Sequence, residues 1–128
     1  MSPTRHPRAK ILVIDDDTSM LRYLKQHLQN AGYAVLLAED GIVGGQLVLN
    51  ASPDLILVDV EMPYLSGYEL VEALKADPTT RHLPVVFLTA DKQVEERTRQ
   101  LGAEAYVKKP VNVNQLLEVV ALFAFGAA

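Results

Sequence analysis

The sequence predicts a single α/β domain built on a parallel sheet. Five short apolar runs alternate along the chain with segments in which apolar residues repeat at helical spacing. This alternation is typical of parallel strands joined by crossover helices. The chain has 128 residues and is 49% hydrophobic, which suits one core rather than two domains of ordinary size. We therefore predict five βα units in one domain.

The first half of the chain supplies two of these units. The first predicted strand covers about residues 10–15, and the helix after it covers 18–31, with leucines on one face and Gly32 as its stop signal. The second strand covers 33–38. The second helix, about 41–50, contains two glycines that each cost about 1 kcal/mol relative to alanine, so local propensity supports this element least.

The second half supplies the other three units. The third strand, 54–59, leads to a helix in which Ser66 and Glu69 predict a capping box at the start. The remaining elements follow from the same kinds of signal: an end to the third helix near residue 76, a strand after Pro84, a charged helix at 92–100 that stops at Gly102, a strand at 105–108, and a last helix from Asn112 or Asn114 to about Phe125.

Composition excludes several classes of function. The net charge of -4 disfavours binding to nucleic acid or to an anionic membrane surface, and the absence of cysteine excludes disulfides and thiolate catalysis. No apolar run approaches the roughly 20 residues that a membrane helix needs. Residues 1–9 are basic with no apolar segment behind them, so we expect a disordered tail, a domain at 10–125 and a cytoplasmic location.

Polar residues come directly after or at the ends of four of the apolar runs: Asp15, Asp16, Asp59, Thr89 and Lys109. In an open α/β sheet, ligands bind outside the carboxyl ends of the parallel strands, so we expect these side chains to converge on one pocket. Mg²⁺ prefers oxygen ligands and would relieve the repulsion among the carboxylates. Asp59 could then attack phosphorus to form an aspartyl phosphate, while Lys109 and Thr89 meet the developing charge.

The residues of this pocket, with the segments around them, give the chain a resemblance to a known family. From about Lys10 to Phe125 it resembles the receiver domain of bacterial two-component response regulators. The matching segments are ILVIDDD at 11–17, PDLILVD at 53–59, Met62-Pro63 with Gly67, PVVFLTA at 84–90, Gly102-Ala103 and YVKKP at 106–110.

The resemblance implies a fold and a chemistry. The fold would be flavodoxin-like and doubly wound, a (βα)5 domain with strand order 2-1-3-4-5. Asp59 would be the phosphoacceptor, charged by a sensor histidine kinase or a phosphotransfer protein, and Lys109 would contact the phosphoryl group. Mg²⁺ would be held by Asp15, Asp16, Asp59 and the backbone carbonyl of Glu61. The Lys109–Pro110 peptide bond is often cis in this family.

The resemblance also implies a switch. Thr89 would move towards the phosphoryl group while the ring of Tyr106 turns inward. This pair would reshape the surface of the fourth helix, fifth strand and fifth helix, where a downstream effector binds. The domain would catalyse only its own phosphorylation and dephosphorylation. Glu61 and Asp91 occupy positions that modulate dephosphorylation, and Tyr64 stands where the family often has glycine, so we expect an altered phosphate lifetime and a different loop.

Three questions stay open at this stage. One alternative function is a Mg²⁺-dependent phosphohydrolase of the haloacid-dehalogenase type, with Asp15 and Asp17 as nucleophile and acid, although we interpret Asp17 as a residue without a catalytic role that could cap the first helix. A second is a degenerate receiver that acts as a constitutive scaffold. The third concerns the last helix, which is more apolar than a surface helix should be: its outer face could form a homodimer or bind a partner, or its end could fold back onto the domain.

Overall fold

The computed structural model describes residues 8–125, and within them five strands alternate with five helices. The elements are β1 (Lys10–Ile14), α1 (Thr18–Asn30), β2 (Ala34–Ala38), α2 (Gly41–Ala51), β3 (Leu55–Asp59), α3 (Gly67–Ala76), β4 (Val85–Thr89), α4 (Val94–Leu101), β5 (Ala105–Lys108) and α5 (Val113–Phe123). All strand pairs are parallel and the order is β2-β1-β3-β4-β5. The predicted flavodoxin-like fold and strand order are confirmed.

The sheet lies between two layers of helices. One core cluster joins α1 and α5 to alternate strand residues such as Ile11 and Leu57. The other joins α2, α3 and α4 to the residues between them, such as Leu12 and Val58. Because β3 and β4 are buried on both faces, their sequences are continuous apolar runs rather than alternating ones.

Helix α2 forms although its local propensity is poor. Gly44 lies against β1, where a Cβ atom would come 2.5 Å from Cδ1 of Ile14. The glycine therefore permits a close approach of helix to sheet that alanine would allow only if the Ile14 side chain moved, and packing outweighs the propensity cost. Asp40 caps the helix by accepting a hydrogen bond from the backbone N–H of Val43.

Two predicted boundaries need correction. Helix α4 begins at Val94 rather than near residue 92, because Asp91 starts a turn in which its side chain accepts from the N–H of Gln93 and its carbonyl accepts from that of Val94. Helix α5 ends at Phe123 rather than at Phe125. Its start is now assigned, since the Asn112 side chain accepts from the N–H of Gln115 and so caps the helix.

The predicted tail, residues 1–9, lies mostly outside the described residues, which begin at Arg8. Ala9 is buried, and its carbonyl accepts a hydrogen bond from the N–H of Ala34 at the start of β2. Within residues 8–125, none of the helices has the length and apolar character that crossing a membrane requires.

Candidate functional site

Three carboxylates meet at the carboxyl end of the sheet, as the sequence predicts. Asp15 and Asp16 follow β1 and Asp59 ends β3, and one oxygen atom from each lies within 4.8 Å of the others. Asp15 is fully buried and Asp59 is only 4% exposed, whereas Asp16 is exposed. The site therefore has two carboxylates in its floor and one at its rim.

The register of the sheet explains this convergence. Ile14 pairs with Val58, so β1 and β3 end side by side. Asp59 pairs with Leu88 of β4, one residue before Thr89, and the backbone N–H of Lys109 donates to the carbonyl of Thr89. The ends of four strands thus present their side chains at one edge.

Lys109 reaches into the carboxylate cluster from the end of β5. Its Nζ atom lies 3.1 Å from Oδ2 of Asp15 and 3.3 Å from Oδ1 of Asp59. Burial by itself lowers the pKa of Lys109, but its hydrogen bonds and charge pairing with the two carboxylates outweigh burial and raise that pKa. Lys109 is therefore held as an ammonium. The Lys109–Pro110 peptide bond is cis, as the resemblance implied.

The pKa of the Asp59 side chain is raised. Burial, and then the negative charge of Asp15, raise its pKa from 3.8 to about 6, while Lys109 and a hydrogen bond from the Glu61 N–H act in the opposite direction. The fold thus holds this carboxylate where its charged form is disfavoured. A further positive charge beside it would favour the ionised form.

The cluster fits a hard divalent cation. Three ionised carboxylates and the ammonium of Lys109, which contacts two of them, leave a net charge of −2, and carboxylate oxygens are the ligands that Mg²⁺ prefers. The backbone N–H of Glu61 donates to Oδ1 of Asp59 at 3.4 Å, so Glu61 lies next to the cluster. Its carbonyl as a further ligand stays a prediction.

Thr89 and Tyr106 lie on the side of the site that faces α4. Thr89 is buried, and its Oγ1 accepts a hydrogen bond of 3.0 Å from the backbone N–H of Asp91. Tyr106 is half-buried on β5, and its hydroxyl donates to Oε1 of Glu95 on α4 at 3.4 Å. Both side chains therefore connect, directly or through the β4–α4 loop (residues 90–93), to the start of that helix.

Asp17 is a helix cap and not part of the cluster. Its side chain accepts hydrogen bonds from the backbone N–H groups of Ser19 and Met20 at the start of α1. This contact uses the carboxylate that the phosphohydrolase alternative needs as its acid.

The loop between β3 and α3 returns closely over the site. A Cβ atom at Gly67 would collide with the backbone carbonyl of Asp59, so only glycine fits there. Tyr64 has φ = 70°, the left-handed conformation that favours glycine, and its side chain is 88% exposed. Tyrosine keeps the backbone conformation that glycine adopts readily, at some cost in strain, and extends an aromatic ring into solvent.

One contact near the site was not predicted. Tyr68 packs edge-on against Phe87, with ring centroids 5.1 Å apart. In addition, its hydroxyl donates a hydrogen bond of 2.7 Å to Oδ2 of Asp91. That bond is the main cause that lowers the pKa of Asp91, while burial and then the same bond raise the pKa of Tyr68. The two residues are 23 positions apart, so no local pattern could reveal the pair.

The fold, with an acidic cluster and a lysine at the carboxyl end of its sheet, can be compared with that of known proteins. Residues 11–121 match the family model of the response regulator receiver domain, so the chain belongs to that family and to two-component signalling. It is 34% identical over 112 residues to the polar-differentiation response regulator DivK of Brucella anthropi, covering 86% of this chain and 91% of that protein.

Solved structures give the same result. The chemotaxis protein CheY4 of Vibrio cholerae superposes with a TM-score of 0.85 at 30% identity, covering 91% of this chain and 99% of that one. A CheY-like response regulator receiver domain protein from Methanospirillum hungatei gives 0.84 at 30% identity, with 91% and 93% covered. These neighbours share the whole domain rather than a fragment of it.

Proposed function

We propose that this protein is a phosphoacceptor of a two-component phosphorelay and that Asp59 takes the phosphoryl group. The observation that carries the proposal is the acidic cluster itself: Asp59 is buried at the end of the central strand, within 4.8 Å of two other carboxylates, and in contact with Lys109. A buried carboxylate beside two other carboxylates is poorly explained as a structural residue, because its burial and the repulsion destabilise the folded state.

In the proposed reaction, a carboxylate oxygen of Asp59 bonds to phosphorus as the bond from phosphorus to a histidine nitrogen of the donor breaks. Asp15, Asp16, Asp59 and the carbonyl of Glu61 would hold Mg²⁺, which neutralises phosphoryl charge when bound. Lys109 would leave its carboxylate contacts to pair with one phosphoryl oxygen, and the Thr89 hydroxyl would donate to another. Donors would be a sensor histidine kinase or a phosphotransfer protein.

The response would pass through Thr89 and Tyr106 to a surface formed by α4, β5 and α5, where a downstream effector protein binds. Leu122 of α5, which is 72% exposed, supports a role of this helix in binding a partner or a second copy. The Phe125 ring lies 6.2 Å from that of Tyr33, so the end of the chain also contacts the domain. Glu61 and Asp91 would adjust how fast water removes the phosphoryl group.

The domain would act in the cytoplasm, where sensor kinases present their phosphohistidine, and would turn over no other substrate. Measuring the intact mass after incubation with acetyl phosphate and Mg²⁺ tests the proposal. We expect one added phosphoryl group on the wild-type protein and none on Asp59→Asn or without metal. A folded wild-type protein that gains no mass would favour the scaffold alternative, and consumption of acetyl phosphate by Asp59→Asn would favour a hydrolase.

A further inference from the structure

Tyr68 is held on α3 between the sheet and α4. Its ring meets that of Phe87, which is fully buried in β4, at an interplanar angle of 78°. On the other side the guanidinium of Arg97 in α4 lies 4.8 Å from the ring centroid, a favourable arrangement of a cation and an aromatic face. These two contacts fix the direction in which the Tyr68 hydroxyl points.

The hydroxyl fastens the β4–α4 loop through Asp91. Oδ2 of Asp91 accepts from Tyr68 at 2.7 Å and Oδ1 accepts from the N–H of Gln93 at 3.2 Å, so both carboxylate oxygens are engaged. The backbone N–H of the same Asp91 donates to Oγ1 of Thr89 at 3.0 Å. A chain of hydrogen bonds thus runs from Tyr68 through Asp91 to the hydroxyl of the candidate site.

We propose that Tyr68 is a positioning residue that latches the β4–α4 loop and so holds Thr89 in its resting arrangement. This inference rests on the proposed function, in which the Thr89 hydroxyl turns towards a phosphoryl oxygen. When Thr89 turns, Asp91 must either follow it or lose the bond to Oγ1. The Tyr68 hydroxyl opposes the first of these outcomes, because Asp91 cannot follow without stretching a short hydrogen bond.

A contact made only in the resting state lowers the affinity for a ligand that requires the other state. Removal of the Tyr68 hydroxyl should therefore tighten binding of a phosphoryl mimic. Tyr68→Phe is the suitable change, since phenylalanine keeps the ring between Phe87 and Arg97. A lost hydrogen bond of this type corresponds to roughly a three- to tenfold change in affinity.

The experiment titrates the protein with beryllofluoride and Mg²⁺, which together mimic a phosphoryl group on a carboxylate, and follows backbone amide signals by NMR. We expect Tyr68→Phe to bind about three- to tenfold more tightly than wild type. Asp91→Ala breaks the same contact from the other side and should also tighten binding. Tyr23→Phe, a matched loss of a hydroxyl from the exposed face of α1, should bind like wild type.

A purely structural role for Tyr68 is separated by combining the changes. If the hydroxyl acts through Asp91, adding Tyr68→Phe to Asp91→Ala changes the affinity no further. Equal or weaker binding by Tyr68→Phe, or the same gain in both backgrounds, overturns the latch while leaving the proposed function intact. Failure of the wild-type protein to bind beryllofluoride overturns both.

Discussion

The two ends of the sheet neutralise their carboxylates in different ways. At the amino end, Asp54 accepts a hydrogen bond of 2.7 Å from the backbone N–H of Lys10. Glu104 accepts one of 2.8 Å from the N–H of Val85 and lies 3.4 Å from the ammonium of Lys75. Each of these carboxylates is partly exposed to solvent and has its own donors.

At the carboxyl end, three carboxylates lie close together, and the two buried ones, Asp15 and Asp59, share the ammonium of Lys109. Repulsion and desolvation there cost stability that the amino end does not lose. The comparison teaches that charges at strand ends are not functional as such. What distinguishes the site is a negative charge that the fold neutralises only in part. A bound cation can neutralise the remainder.

The largest expected effect comes from removing the positive charge that partly neutralises the carboxylates. Lys109→Ala removes the ammonium that contacts Asp15 and Asp59 and that would meet the transferred phosphoryl group. We expect phosphorylation by acetyl phosphate, followed by intact mass over time, to slow by about 100-fold or more. Lys75→Ala removes a matched ammonium at the amino end and should leave the rate unchanged; equal rates for the two variants would refute the distinction between the ends.

A smaller effect should appear in stability as a function of pH. The pKa of Asp59 is raised from 3.8 to about 6, so the folded state favours the protonated form. That contribution is complete below about pH 3.8 and is lost as the pH rises through about 6. Asp59→Asn has no carboxyl group that ionises at this position, so it does not lose this stability as the pH rises. Without metal, its free energy of unfolding relative to wild type should rise by on the order of 2 kcal/mol between pH 4.5 and pH 8.

Urea unfolding at both pH values in the presence of a chelator measures this difference. Addition of Mg²⁺ should reduce or reverse it at pH 8, because the cation stabilises the ionised carboxylate of wild type. A difference between variant and wild type that is the same at pH 4.5 and pH 8 would contradict the assigned cause of the raised pKa.

The sequence predicts the frame of this molecule better than its details. Strand ends can be predicted because buried parallel strands are continuous apolar runs, so a carboxylate such as Asp59 is easily identified where a run stops. Helix α2 is predicted weakly, since the packing of Gly44 against Ile14 is a tertiary contact. The start of α4 is displaced by the turn at Asp91.

The Tyr68–Asp91 bond is the main feature near the site that the sequence conceals. It joins a helix to a loop beyond the next strand, and neither residue carries a local signal for the other. The raised pKa of Asp59 is concealed for the same reason, because it results from burial and from the closeness of Asp15. The sequence predicts which residues lie at the carboxyl end of the sheet. It does not predict how their charges interact there.

The most direct test of the account is a Mg²⁺ titration by calorimetry that compares one carboxylate from each end. We expect wild type to bind one Mg²⁺, Glu104→Gln to bind with unchanged affinity, and Asp15→Asn to bind about tenfold more weakly or worse. Unfolding experiments would show first that both variants are folded. If Asp15→Asn binds Mg²⁺ as wild type does, or if Glu104→Gln weakens binding equally, the unneutralised charge at the carboxyl end is not the cation site and the account is contradicted.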